Sequence, residues 1–133
     1  MERAYYEKVL FQVASIILLL TFNKSQSADT APFTKSGSSA FSLVHSTHNW
    51  YSGGTPSSAT KVSDPSDYYI LAQLMRKDGT SFHPTGDSVK IYGLCESKLF
   101  PFSKDSGDYR FHLRAISPNS KPAFFDASGS VRM

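Results

Sequence analysis

The chain has 133 residues, a formal net charge of +3, 19% charged and 14% aromatic residues. Low charge with many aromatics excludes a disordered chain, and the length fits one domain with one core. Without residues 1–27, 11 basic and 9 acidic residues leave +2, too weak a basic field for a general nucleic-acid binder.

Taken in chain order, residues 1–8 carry Arg3 and Lys8, and residues 9–22 (VLFQVASIILLLTF) form an apolar run of 14. A polar stretch with Ser25 and Ser27 in small-x-small spacing follows. A basic flank, a short apolar run and small residues are the pattern of a secretory leader. As a helix the run spans about 21 Å, short of the roughly 30 Å of a bilayer core. The expectation is a signal peptide over 1–27, a secreted chain beginning at Ala28, and contact with a membrane only through the leader. One cysteine, Cys95, allows no internal disulfide and reads as a small buried hydrophobe.

Residues 28–39 (ADTAPFTKSGSS) are small, polar and aperiodic, which predicts a flexible arm. A domain over 40–133 follows, in which Pro and Gly recur at short intervals. Residues 40–44, 47–52, 68–75, 87–94, 97–102, 107–116 and 121–125 read as short strands, separated by turn signals such as Asp78-Gly79, Pro84-Thr85-Gly86 and Ser128-Gly129. The alternation is clearest in GDYRFHLRAI: Tyr109, Phe111, Leu113 and Ala115 on one side, Asp108, Arg110, His112 and Arg114 on the other. Six to eight short strands with tight turns predict an all-β fold, a small antiparallel β-sandwich of Greek-key or immunoglobulin-like type.

The stretch Asp105-Ser106-Gly107-Asp108-Tyr109-Arg110-Phe111 resembles the D-S-G-x-Y tyrosine corner of immunoglobulin-like sandwiches, which implies a hydroxyl bonded back to the preceding corner. Here Phe111 stands where that family has a cysteine, and Trp50 lies at a suitable distance for a core Trp. The stretch Tyr51-Ser52-Gly53-Gly54-Thr55-Pro56-Ser57-Ser58-Ala59-Thr60-Lys61-Val62, followed by Tyr68-Tyr69-Ile70-Leu71-Ala72-Gln73-Leu74, resembles the lactococcin-type secreted β-sandwich bacteriocins. That resemblance implies a cleaved leader, no disulfide, and action on the cell-wall precursor of neighbouring cells. The family keeps a His in the loop where this chain has Pro56 and Ser57.

His45-x-x-His48 has no third ligand nearby and lies in a strand or loop, where that spacing does not build a metal pair. There is no G-x-S-x-G elbow and no phosphate loop. The expectation is therefore a protein without catalytic residues, metal or cofactor. The polar side of residues 108–114 reads either as a solvated strand face paired with acids on the next strand or as the candidate ligand face: Arg110, His112 and Arg114 alternate along it at roughly 7 Å per two residues, with Lys90 and Tyr92 extending it from a neighbouring strand and Trp50 and Tyr51 flanking it. Cations in such a row suit an anionic polymer of the cell envelope or a wall precursor. The alternative is a structural or adhesive sandwich module of a surface or matrix, with a surface protein as partner.

Overall fold

The computed structural model describes residues 16–133, with side chains described from Leu20 onward. Ten strands form two antiparallel sheets: β1 (Ile16–Ser25), β2 (Ser27–Asp29), β3 (Phe33–Lys35), β4 (Ala40–Ser52), β5 (Thr60–Lys61), β6 (Tyr69–Asp78), β7 (Ser81–Tyr92), β8 (Cys95–Ser103), β9 (Gly107–Ile116) and β10 (Ala123–Arg132). One sheet runs β1-β10-β4, with β5 and β8 both on the far side of β4; the other runs β2-β9-β6-β7, with β3 beside β2 along β9. The all-β sandwich expected from the turn spacing is therefore the observed fold.

The sheets meet through their apolar parities. β4 supplies Phe41, Leu43 and Trp50, β10 supplies Phe125, Ala127 and Val131, and β6 and β9 answer with Ile70, Ala72, Leu74, Tyr109, Phe111 and Leu113. Phe33, Phe41, Tyr109 and Phe111 form an aromatic cluster with centroids 5.6–6.4 Å apart, the spacing at which edge and offset contacts are favourable.

Residues 28–39 are not a flexible arm. Phe33 is 3% exposed and sits inside the aromatic cluster. Between β2 and β3, Thr30 continues the pairing: its amide donates to the Phe111 carbonyl at 2.9 Å, and its hydroxyl accepts from the Phe111 amide at 2.8 Å. Lys35 is buried along its stem, with its ammonium donating to the Gly37 carbonyl at 2.7 Å. Small polar residues read as loose when unpaired; here β9 takes up their backbone groups.

The leader expected over 1–27 lies outside the described residues as far as position 15. Its remainder is structured: β1 pairs along β10 from Ile16↔Arg132 to Ser25↔Phe125, and Ser27 opens β2. Phe22 packs against the core.

Three turn signals fall within strands. Pro84-Thr85-Gly86 sits at a register slip of β7 opposite Leu74, where the Thr85 hydroxyl donates to the Leu74 carbonyl at 3.0 Å. Among the described residues β8 pairs only with β4, so Pro101 holds an edge position that tolerates a missing N–H. Gly129 lies inside β10, where a Cβ would stand 2.4 Å from the Val44 carbonyl oxygen; it is glycine because the neighbouring backbone is too close, not because the chain turns.

At the β8–β9 corner the Tyr109 hydroxyl donates to the Asp105 carbonyl at 2.8 Å, and the ring is fully buried. Tyr109→Phe keeps the packing and removes that bond. It should lower the unfolding free energy by about 1 kcal/mol, read as a lower urea midpoint at unchanged slope; an unchanged midpoint would show that the bond adds nothing.

Candidate functional site: the outer face of the β9-β6-β7 sheet

The outward parity of β9 is Asp108, Arg110, His112 and Arg114. β6 lies between β9 and β7 and contributes Tyr69, Leu71, Gln73 and Met75; β7 contributes Ser88, Lys90 and Tyr92. One cross-strand row reads Ser27–Arg114–Leu71–Lys90, and its neighbour Ile116–Tyr69–Tyr92. The Arg114 and Lys90 backbones are two strand spacings apart, about 10 Å. The Tyr69 and Tyr92 rings stand 4.9 Å apart, with the Lys90 ammonium 5.2 Å from the Tyr69 centroid.

Five of the seven expected ligand residues, Arg110, His112, Arg114, Lys90 and Tyr92, thus share one face, but in two different conditions. Arg114, Lys90 and Tyr92 are exposed, and neither cation has an ion-pair partner among the described residues. Arg110 and His112 are half-buried and engaged: Asp29 on β2 lies 2.7 Å from His112 Nδ1 and 3.7 Å from an Arg110 nitrogen, while the Arg110 guanidinium lies 4.3 Å from the Phe82 centroid. Arg110 and Arg114 are four residues apart, about 14 Å along the strand, so they do not grip one phosphate between them.

Trp50 and Tyr51 do not flank this face. Trp50 is fully buried, and its indole N–H donates to the Gly93 carbonyl at 2.8 Å. The cause is a register slip of β4 against β10. Asn49 pairs with Asp126 and Thr47 with Ala127, so His48 is the extra residue and the inward parity shifts from odd to even positions. Tyr51 lies on the other sheet, where its hydroxyl donates to Asp126 Oδ2 at 2.6 Å. Asp126 also accepts from the Lys24 amide at 2.7 Å and from the Asn49 side chain at 3.2 Å. Burial pushes the Asp126 carboxyl up, but those bonds outweigh it and hold it below the usual range; the same bond to Asp126 raises the Tyr51 phenol, with burial adding to it. This cluster ties β1 to β4 and β10 and is remote in topology from the basic face.

The histidine pair does not share a face. His45 is 2% exposed and hydrogen-bonded to Thr47 Oγ1 at 2.6 Å, whereas His48 is exposed, 3.0 Å from Ser128 Oγ. Cys95 is half-buried on β8, and burial raises its thiol above the usual range despite nearby Lys98.

Tyr69, Leu71 and Gln73 complete the face and were not singled out from the sequence. The signal was present: a strand over 68–75 with Ile70, Ala72 and Leu74 inward places 69, 71 and 73 outward. Asp29 was missed because residues 28–39 read as unpaired. No protein-family model, curated protein or solved structure matches the chain, so the bacteriocin resemblance rests on the residues of 51–62 and 68–74 alone.

Proposed function

We propose that the protein is a secreted, non-enzymatic binding protein that takes an anionic polymer of the cell envelope, or a wall precursor, on the outer face of the β9-β6-β7 sheet. The observation that carries this reading is the row Arg114–Leu71–Lys90 beside the Tyr69–Tyr92 ring pair. Two cations without carboxylate partners among the described residues favour an anion, and the aromatic pair and Leu71 offer an apolar floor for the rings or chain that carries it. A bacteriocin-like role is the form of this function that the 51–74 resemblance suggests.

The groups most suited to chemistry are otherwise occupied: His45 is in the core, and the Cys95 thiol is raised. Against the adhesive alternative, two of the edge strands are blunted. β7 carries Pro84 and a register slip, and β8 carries Lys98 and Pro101, features that oppose strand addition. Export is a separate part of the proposal. Cleavage after Ser27 would remove β1 and leave β10 as a sheet edge, and the intact mass of the exported chain tells a processed form from one that retains β1.

The test uses immobilised polyphosphate and the double variant Arg114→Gln/Lys90→Gln. Two charge-assisted contacts at an exposed face should be worth about tenfold or more in affinity together, and the loss should be mimicked by raised salt. Exposed charges contribute about 0–1 kcal/mol to stability, so the melting temperature should stay within a few degrees of wild type. A double variant that binds as the wild type does would reduce the face to a solvated strand surface.

A further inference from the structure

Leu74 is the last apolar inward residue of β6. The next inward position is Arg76, in register with Tyr109 on β9 and His83 on β7. At this end of the sandwich an open cleft of about 510 Å3 is lined by Arg76, Lys77, Asp78, His83, Thr85 and Lys104, with Tyr109 also on its wall. We propose that this cleft binds a phosphate or sulfate ester group, anchored by Arg76 with His83, and that Asp87 competes with the ligand for Lys104. This site is separate from the polymer face proposed above and does not depend on it.

The Arg76 guanidinium is positioned without being neutralised. It donates to the Ser106 carbonyl at 2.9 Å and lies 5.7 Å from the Tyr109 centroid, and no carboxylate pairs with it among the described residues. A guanidinium has five N–H donors in a planar fork, so one bond to a carbonyl leaves donors free. The next residue, Lys77, is in register with Phe82 on the outward parity, and Asp78 is a carboxylate on the wall. Lys104 is already held by Asp87 at 2.9 Å. The hydroxyls of Thr85 and Tyr109 donate to Leu74 and Asp105 carbonyls, so recognition falls to the nitrogen donors. These come from β6, from β7 and from the loop after β8, and therefore approach from several directions. A tetrahedral oxyanion presents oxygens to all of them, whereas a planar carboxylate presents two in one plane. The volume lies within the range of small-molecule sites, about 300–1,000 Å3, and has room for more than a bare oxyanion, which points to an ester carried on a sugar or a longer chain.

The experiment is a two-dimensional amide NMR titration of the full chain with inorganic phosphate and inorganic sulfate, then glucose 6-phosphate, glucose 6-sulfate and plain glucose. Shifts should concentrate at residues 76–78, 83–85 and 104–107 for the esters and be absent for glucose; the tighter ester identifies the source of the anion. Arg76→Gln should weaken ester binding about tenfold or more. Asp87→Asn should tighten it by releasing Lys104, a gain that damage to the fold would not produce. Arg114→Gln/Lys90→Gln should leave it unchanged, which separates this site from the sheet face. Shifts spread evenly over basic residues, equal binding of glucose, wild-type affinity in Arg76→Gln, or unchanged or weaker binding in Asp87→Asn would each overturn the proposal.

Discussion

Trp50→Ala should destabilise the fold by about 3–5 kcal/mol, the range for deleting a large buried aromatic. The ring is fully buried, 5.4 Å from Tyr68 and 5.9 Å from Phe125, measured between centroids. Its loss opens a cavity between the sheets and strands the Gly93 carbonyl that its N–H satisfies at 2.8 Å. Gly93 in turn donates to the Tyr68 carbonyl at 2.8 Å, so the turn between β7 and β8 loosens with it. Trp50→Phe separates the two effects: most of the packing survives, and the unpaired carbonyl costs about 1–3 kcal/mol. Trp50 is the only tryptophan, so its emission reports unfolding of the wild-type chain, and circular dichroism serves for the variants. A Trp50→Ala protein as stable as wild type but weaker in polymer binding would return Trp50 to the ligand site, where the sequence had placed it.

The strand parities were legible wherever alternation ran unbroken. Residues 107–116 show this best: Tyr109, Phe111 and Leu113 are buried, and the intervening residues are not. The parities are hidden where a single residue resets the phase. His48 does so in β4, and no local pattern marks it, because the slip exists only relative to β10. Strand bounds are hidden also where glycine and proline serve strands and not turns. Gly129 answers the Val44 carbonyl across the sheet, a contact that the local sequence does not encode. The basic face was half legible for the same reason. Arg114 and Lys90 follow from parity, but Asp29, which engages Arg110 and His112, belongs to a strand whose composition looks like a tail. The Arg76–His83 pairing could have been found by counting outward from Asp78-Gly79. The two-residue loop Gly79-Thr80, with Gly79 at φ +67°, fixes that register.

Acidification from neutral pH should destabilise the fold through His45 before the carboxylates respond. His45 is 2% exposed. Its pKa is lowered to about 4 from 6.5, first by burial and then by the neighbouring charge of His48. The folded chain therefore holds a neutral imidazole, whereas the unfolded chain takes up a proton as pH falls through 6.5. The unfolded state binds more protons between these values, so stability rises with pH across the window and is lost on the way down. The full loss is roughly 3 kcal/mol by about pH 4, a substantial part of the 5–15 kcal/mol typical of a domain. Asp126 acts lower: its depressed carboxyl contributes stability above its usual value of 3.8 that is lost as pH falls through the folded value. Urea midpoints measured between pH 7 and pH 4 should fall with a slope approaching one proton per molecule. His45→Gln retains a polar partner for Thr47 and should flatten that slope at some cost in stability at pH 7. His48→Gln removes only the smaller cause and should keep most of it. A wild-type midpoint that stays constant from pH 7 to pH 4 would mean that His45 takes up its proton as readily in the fold as in the unfolded chain, and that its bond to Thr47 survives as that of an imidazolium.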